Sequence, residues 1–297
     1  MRIASLLCFL GSWLLTTPAT GEDVSINQVR NRSTYMLDLM KLALSYSDTR
    51  YRFVETDERL SKNAEREALL NGTLAVIWGG TSQQQEADFT PIRVDGYRGL
   101  MSLRFLIIRQ GDQPRFNRVY TSEDLKQLRF GQGRSWQDTR ILQASGLTVE
   151  GSSKKPGLFH MLEGGRFDAF PRGATEAWVE AREYRHLGLT VEQSLIIKYP
   201  LPTYFFVNRN RTKLAADIRA GLGKALLDGS FDDYFYGNER VQAFLAQANL
   251  EYRRVIELDN PFLPPSAAVD EGGYNLSIEQ LVAGARRHKQ ASLERVH

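Results

Sequence analysis

The sequence predicts an α/β protein of two lobes, in which the second lobe is inserted into the first and two crossing strands form the hinge. Three observations predict this class. Strand-like and helical segments alternate from residue 24 onward, a longer apolar run begins after Gly99, and a second alternating unit precedes the return of the chain. Strand, helix and strand in this order favour parallel sheets with crossover helices.

Length and composition agree with a globular protein of this kind. The chain has 297 residues, 42% of them hydrophobic and 25% charged, with a formal net charge of +3. These values exclude intrinsic disorder, collagen and coiled-coil structure, and the small net charge gives no electrostatic reason to expect a nucleic-acid partner. The single cysteine, Cys8, excludes a disulfide framework and a cysteine zinc site.

Residues 1–21 are typical of a secretory signal peptide. Arg2 supplies a positive charge, Ile3–Leu15 is almost continuously apolar, and small residues follow at a position suited to cleavage. A buried N-terminal helix or a membrane anchor is the alternative, but the apolar run is shorter than the ~20 residues that span a bilayer. Cleavage would remove Cys8, and an exported chain without disulfides fits the bacterial periplasm. We therefore expect a soluble periplasmic monomer.

The first part of lobe 1 is assigned to residues 22–103. Ser33 is placed as the N-cap of the first helix, and Asn71-Gly72 is a helix-stop signal. The predicted elements are a strand over Val24–Gln28, a helix through Met36, Leu39, Met40 and Ala43, a strand over Tyr51–Glu55, a helix over Ala64–Leu70 and a buried strand over Leu74–Trp78.

Lobe 2 is assigned to residues 104–203. The crossing strand Leu100–Arg109 leads into it, and Ser135 is the candidate N-cap of its second helix. The predicted elements are the helix Ser122–Leu128, the strand Arg129–Gly131, the helix Ser135–Ser145, the strand Leu147–Glu150, the helix Pro156–Glu163, the strand Asp168–Phe170 and the helix Ala174–Arg182.

The chain then returns to lobe 1 over residues 204–265. The second crossing, Pro202–Val207, is followed by three predicted helices, Lys213–Leu227, Phe231–Tyr236 and Glu239–Ala248. Prolines at the end of this stretch mark the end of the compact fold. Residues 266–297 are assigned to a C-terminal tail, with one helix over Ser277–Ala285 and a solvated basic stretch at Arg286–Lys289.

Several short strings occur in the order typical of one known family. They are Tyr35–Leu39, Leu69–Gly72, Phe89–Pro91, Ser122–Leu125, Leu162–Ala169 and Lys213–Phe235. Together they resemble the type 2 periplasmic binding fold and, more narrowly, the family 3 (amino-acid type) solute-binding proteins. The resemblance implies a binding protein rather than an enzyme, which closes around a small solute and has an inner-membrane ABC permease or a sensor as its partner.

The sequence departs from that family at both of its ligand anchors. Members hold the ligand carboxylate with an arginine three residues after a Thr or Ser, whereas Thr81–Glu86 contains no arginine. Members also bind the ligand ammonium with an aspartate shortly after the Gly-x-x-Asp-Ala string, where this chain has Phe170–Gly173 with Arg172. The resemblance therefore implies that an ordinary α-amino acid would lose both anchors.

Strand ends indicate where a solute would lie, because ligands of open α/β sheets bind beyond the carboxyl ends of the strands. Arginines occur at three of these ends, and each can form bidentate bonds of about 1.5–3 kcal/mol to an anion. We therefore expect a carboxylate-bearing or similar anionic solute. The candidate ligand-binding residues are Arg30, Trp78, Thr81, Ser82, Arg134, Ser135, Trp136, Arg172 and Glu176.

Structural roles are the alternative for these arginines. Arg172 is placed to pair with Glu176 one helical turn later, Arg134 is placed in a solvated loop, and Arg30 lies beside Arg32 as in a surface pair. Each interpretation stays open on sequence grounds.

The aromatic candidates and the absent motifs complete the prediction. Trp78 ends an apolar strand and suits core packing as well as a ligand, whereas Trp136, near a helix start, is the better candidate for a ligand wall. No metal or cofactor is predicted, because the four histidines lack metal-ligand spacing and Gly131-x-Gly133 lacks the third glycine of the dinucleotide fingerprint. The sequence also lacks the nucleophile-elbow motif that Ser-His-acid catalysis needs. An orphan sensor and a cleft enzyme resembling cyclohexadienyl dehydratase, with Glu176 as its acid, are the alternatives.

Overall fold

The computed structural model describes residues 21–29, 34–268 and 274–294. The predicted signal peptide lies outside these ranges except for Gly21, and so do Cys8, Arg30, Arg32 and Ser33. Within the described ranges, no helix combines the length and the apolar character needed to cross a bilayer.

The first lobe is built on one mixed sheet. Its elements are β1 (Glu22–Ile26), α1 (Tyr35–Leu44), β2 (Tyr51–Glu55), α2 (Lys62–Leu70), β3 (Val76–Gly80), α3 (Gln83–Asp88) and β4 (Thr90–Ile92), joined later by β11 (Thr203–Val207), α9 (Thr212–Leu227) and α10 (Ser230–Gly237). β1 pairs in parallel with β2, and β11 lies antiparallel between β3 and β4. The Ala75 amide donates to the Ser25 carbonyl at 2.9 Å, which gives the order β2-β1-β3-β11-β4.

Helix α1 forms because its apolar residues recur at helical spacing and are buried on one face. It packs against α9, where Gly221 approaches the Ala43 carbonyl so closely that a β-carbon would overlap it. The predicted strand Tyr51–Glu55 is confirmed to the residue.

The second lobe is built on a second mixed sheet. Its elements are β5 (Leu103–Arg109), α4 (Gln113–Phe116), α5 (Ser122–Leu125), β6 (Arg129–Gly133), α6 (Gln137–Ala144), β7 (Thr148–Ser152), α7 (Lys155–Glu163), β8 (Phe170–Gly173), α8 (Ala177–Glu183), β9 (Leu189–Val191) and β10 (Leu195–Lys198). β6 pairs in parallel with β7 and is bridged to β8 through Phe130 and Ala169. β5 then lies antiparallel between β8 on one side and β9 and β10 on the other.

The predicted cap of α6 is wrong. The helix begins at Gln137 with Trp136 at its N-cap and no side-chain cap bond, rather than at Ser135. The Trp136 indole lies against Gly133, where a β-carbon would overlap the ring. The Trp136 amide donates to the Gly133 carbonyl at 2.9 Å, so residues 133–136 form a turn before the helix begins.

The last part of the chain crosses between the lobes again. Its elements are α11 (Glu239–Gln247), β12 (Arg254–Glu257), α12 (Pro265–Ala268) and α13 (Ile278–Glu294). β12 pairs in parallel with β10 and so lies in the second-lobe sheet, although residues 204–265 were expected in the first lobe. The chain then returns to the first lobe, where the Ser266 hydroxyl donates to Glu86 at 2.9 Å.

Helix α13 replaces most of the expected tail. It continues through the basic stretch Arg286–Lys289, which was expected to follow the helix as a solvated tail. Leu281 is only 1% exposed, and Gly284 lies so close to the Tyr236 ring that a β-carbon there would overlap it. This apolar contact holds the helix on the body of the first lobe.

The chain crosses between the lobes at the two expected places. The strands predicted for these crossings, however, belong to the sheets of the lobes. β5 lies in the second sheet and β11 in the first, so residues 93–102 and 199–202 make the actual passages. Asp138 of α6 accepts from the Tyr199 hydroxyl of the second passage at 2.6 Å and from Nε of Arg104, which lies just after the first passage, at 2.7 Å. Arg104 also donates to the Met101 carbonyl.

Candidate functional site

A cavity of about 580 Å³ opens between the two lobes. The first-lobe wall is formed by Asn27, Gln28, Val29, Lys62, Glu65 and Trp78. The second-lobe wall is formed by Lys155, Thr175, Glu176, Val179, Glu180 and Glu183. Tyr97 from the first passage and Arg240 from α11 complete the lining.

Strand ends position much of this lining. Residues 27–29 directly follow β1, Trp78 lies within β3, and Thr175 and Glu176 follow β8. Because the carboxyl ends of these strands meet between the lobes, the cavity lies where ligands of open α/β sheets bind.

The second-lobe wall contains a buried network of charges. Arg172 makes a bidentate contact to Glu180, with Nε at 2.5 Å from one carboxylate oxygen and Nη2 at 2.9 Å from the other. Glu176 lies 3.0 Å from the same Nη2, and Lys155 donates to Glu180 at 2.7 Å. The Arg172 side chain is only 8% exposed, so its charge is balanced within the protein.

Two members of this network, Arg172 and Glu180, have pKa values shifted toward their charged forms. Burial alone would lower the pKa of Arg172, but the Glu176 and Glu180 carboxylates outweigh it and raise that pKa above its usual range. Burial alone would raise the pKa of Glu180, but its bonds to Arg172 and Lys155 hold it below the ordinary value. Both groups therefore keep their charges at neutral pH.

Aromatic rings complete one face of the network. The Arg172 guanidinium lies 4.9 Å from the centre of the Trp136 ring and 5.1 Å from that of Phe170. The two rings are themselves stacked at 6.3 Å. Cation–π contact at a desolvated site of this kind adds to the fixation of the guanidinium.

The first-lobe wall holds a single buried acid. Glu65 accepts from Asn27 Nδ2 at 3.2 Å and from Lys62 Nζ at 2.6 Å. Asn27 also accepts the Leu60 amide at 2.9 Å, which fixes the loop before α2. Ser61 caps that helix by accepting from the Ala64 amide.

Two aromatic side chains flank the cavity floor. Trp78 packs edge-on against Phe205 at 6.4 Å, and Tyr97 stacks on Tyr35 at 4.4 Å. Burial and the nearby Glu176 carboxylate raise the pKa of Tyr97 well above its ordinary value. The phenol is therefore neutral and can act as a hydrogen-bond donor.

This architecture matches solved structures of two-lobed binding proteins. An ancestral arginine-binding protein bound to arginine superposes with a TM-score of 0.52 at 15% identity, covering 74% of this chain and 99% of that one. The chain has the type 2 periplasmic binding fold. An arginine-specific periplasmic binding protein of Salmonella typhimurium matches with a TM-score of 0.51 at 13% identity, covering 72% of this chain and 97% of that one.

A third structure of this fold comes from work on glutathione import through GshT and the cystine ABC importer of Streptococcus mutans. Its TM-score is 0.53 at 13% identity, and it covers 72% of this chain and 93% of that one. No protein-family model matches the chain, and a search of curated proteins finds no match.

Two predicted site residues line the cavity of this periplasmic binding fold, namely Trp78 and Glu176. Arg172 lies behind the lining, held by its acidic partners. The predicted alternative for Arg172, an ion pair with Glu176, is present, and Glu180 is a further partner.

Of the other predicted residues, Thr81 and Ser82 take part in local structure, whereas Arg30 lies outside the described residues. The Thr81 hydroxyl donates to Glu86 at 2.9 Å, and Ser82 caps α3 by accepting from the Gln85 amide. Arg134 and Ser135 are exposed in the turn before α6. Their contact with a solute stays a prediction.

Sequence reasoning missed several cavity residues because they lie on helices rather than at strand ends. Lys62 and Lys155 each stand at the first position of a helix, and Arg240 stands near the start of α11. The only sequence signal for the two lysines was that each lies near the start of a predicted helix. The described residues contain no group of three His, Cys, Asp or Glu side chains suited to a metal ion.

Proposed function

We propose that this protein is a periplasmic solute-binding protein whose lobes hold one small, carboxylate-bearing solute in the cavity between them. The observation that carries this proposal is a cavity of about 580 Å³ lined by side chains of both lobes, a size suited to a small ligand. A solute that touches both walls binds the closed arrangement more tightly than an open one. Binding therefore stabilises closure without covalent chemistry.

The carboxylate is assigned to the cations that remain available at the cavity. Arg240 is exposed and, within the described part of the chain, forms no ion pair. Lys62 is bound to Glu65, but its side chain is 72% exposed and free to turn. Both are better placed to meet a solute than Arg134, which is absent from the cavity lining among the described residues.

The acidic side chains of the cavity also constrain the solute. Glu176 and Glu183 line the second-lobe wall, so a solute with several negative charges would meet repulsion there. Structures of the same fold come from proteins described as binding arginine, glutamine and glutathione. These compounds carry carboxylates together with hydrogen-bond donors, which is the combination that a cavity of mixed charge favours.

The partner follows from the same proposal. A solute-binding protein of the periplasm delivers its ligand to an inner-membrane ABC permease, and we propose that role here. An orphan sensor is the alternative, and uptake of the identified solute by cells lacking this protein distinguishes the two. Unchanged uptake would contradict the transport role.

A thermal-shift screen tests the proposal. We expect a carboxylate-bearing amino acid, small peptide or sugar acid to raise the Tm, since a ligand at 100 times its Kd adds about 2.7 kcal/mol. The matched amide or alcohol should give no rise, and Arg240→Ala should weaken the response. A rise with neutral or purely cationic compounds alone would contradict the assignment.

The same preparation tests for an enzyme. A prephenate-like acid added to the protein should be recovered unchanged, and bound at most in a one-to-one ratio. Release of a dehydrated product would replace the binding proposal with a catalytic one.

A further inference from the structure

Two positively polarised groups lie beside one oxygen of Glu176. The Arg172 guanidinium forms an ion pair with Glu176 Oε2, with Nη2 at 3.0 Å, and the Gly173 amide donates a hydrogen bond to the same oxygen at 3.1 Å. A guanidinium and a backbone N–H beside one oxygen are suited to binding a carboxylate. In this structure, the carboxylate that they bind belongs to the protein.

Glu176 is the more weakly held of the two acids on Arg172. Glu180 uses both of its oxygens on Arg172, takes Lys155 as a second partner and is only 7% exposed. Glu176 contacts Arg172 through one oxygen, is 39% exposed and lines the cavity. A competing anion in the cavity therefore meets Glu176 before Glu180.

The charges show what displacement of Glu176 would leave. Arg172 and Lys155 carry two positive charges, and Glu180 carries one negative charge. Without the Glu176 carboxylate, Arg172 would still be paired with Glu180, and the surplus positive charge would be shared with Lys155, whose side chain is 43% exposed. This surplus charge, beside the Gly173 N–H that Glu176 would leave, favours a replacement anion at this position.

We propose that Arg172 Nη2 and the Gly173 amide form a carboxylate subsite of the cavity, and that Glu176 occupies it until the carboxylate of the solute takes its place. This inference rests on the proposed function, because it names the group that the cavity recognises. Glu176 then sets specificity. A solute must compete with a carboxylate that is already attached to the chain, so weak anions are rejected and the apparent affinity is lowered.

Acetate is the probe, because it is the smallest carboxylate and needs no knowledge of the natural solute. Glu176→Ala empties the subsite and should lower the Tm. We expect acetate to raise the Tm of this variant by about 3 °C or more, and acetamide or sodium chloride at the same concentration to have little effect. The wild-type protein should respond less than the variant.

Glu163→Ala is the control. Glu163 is exposed at the end of α7, lies outside the cavity lining and, among the described residues, forms no ion pair. This variant should respond to acetate no more than the wild-type protein. An equal response of the Glu176 and Glu163 variants would overturn the subsite.

Glu176→Gln keeps the proposal testable where the alanine variant fails to fold. Glutamine fills the same space without charge, so acetate should displace it more readily than glutamate. We expect acetate to bind this variant about tenfold more tightly than the wild-type protein, as the loss of a charged competitor implies. Weaker binding would overturn the proposal.

The two proposals fail in different ways. Acetate rescue of the Glu176→Ala variant, together with no solute that stabilises the wild-type protein, would leave the subsite and remove the proposed function. A carboxylate solute that stabilises the wild-type protein, together with no acetate rescue, would leave the function and remove the subsite. A solute that binds Glu176→Gln less tightly would assign Glu176 to a cationic group of that solute and also overturn the subsite.

Discussion

The two walls of the cavity hold their charges in different ways. On the second-lobe wall, Arg172 and Glu180 are each less than a tenth exposed and share two contacts. On the first-lobe wall, Glu65 is similarly buried, but its partner Lys62 is 72% exposed. Buried pairs lose much stability when one partner is removed, whereas exposed partners lose little. The Arg172–Glu180 pair of the second wall is therefore fixed before a solute arrives, whereas Lys62 of the first wall can adjust to the solute.

Removal of Arg172 should have the largest effect. Arg172→Met leaves Glu180 buried with Lys155 as its remaining cation, and we expect a loss of about 3–5 kcal/mol in the free energy of unfolding. Urea denaturation at pH 7 measures it. Arg172→Lys should recover only part of the loss, since lysine lacks the bidentate geometry. A loss below about 1 kcal/mol would mean that the second wall is no more fixed than the first.

Substitution of Glu65, the buried acid of the first-lobe wall, should lower the free energy of unfolding less than removal of Arg172. Glu65→Gln keeps an oxygen for Asn27 but removes the charge that Lys62 meets, so we expect a loss of about 1–2 kcal/mol. The control is Glu67→Gln, because Glu67 lies on the same helix with its side chain 67% exposed. A loss as large as that of Arg172→Met would remove the contrast between the walls.

Lowering the pH should reduce the stability of the protein by protonating Glu180 in the second-lobe wall. Its folded-state pKa lies below the ordinary value, so its stabilising contribution is complete above the unfolded pKa of about 4.3. That contribution is lost as the pH falls through the lower, folded value. Glu180→Gln should therefore lose less stability than the wild-type protein between about pH 5 and pH 3. Urea midpoints across this range measure the difference, and parallel curves would contradict it.

The exposed lysine of the first wall should affect stability least. Lys62→Ala is expected to cost roughly 0.5 kcal/mol or less while weakening the binding of a carboxylate solute. Lys198→Ala is the control, because Lys198 forms a comparable exposed pair with Glu257 outside the cavity lining. Calorimetric titration should separate the two variants by affinity, and equal affinities would remove Lys62 from the site.

The sequence predicts the central elements of this fold better than its edges. Tyr51–Glu55 is correct to the residue because apolar spacing and flanking polar residues mark both ends. β12 was missed because Arg254–Glu257 is a four-residue edge strand whose partner, β10, is remote in sequence. α13 was cut short at its basic stretch, where the contact of His288 with the Tyr236 ring at 6.3 Å joins two distant parts of the chain.

The site divides in the same way. Strand ends predict Trp78 and Glu176, since the position of a strand end follows from local pattern. The pairing of Arg172 with Glu176 could also be predicted, because the two residues are four apart, about one helical turn. Glu180, which binds Arg172 more fully, stands eight residues away, and Arg240 comes from the other end of the chain. Partners of this kind depend on how the lobes pack, which no short pattern records.

Within the described ranges, four passages join the lobes: residues 93–102, 199–202, 248–253 and 258–264. The Leu276 amide also ties the C-terminal segment to the Arg98 carbonyl at 2.9 Å. Two connections between the lobes would leave them free to move relative to each other in several directions. Each further connection restricts that relative motion. The passage at 199–202, with four residues, can extend over at most about 14 Å. The length of the shortest connection therefore limits how far the lobes can separate, whichever solute is bound.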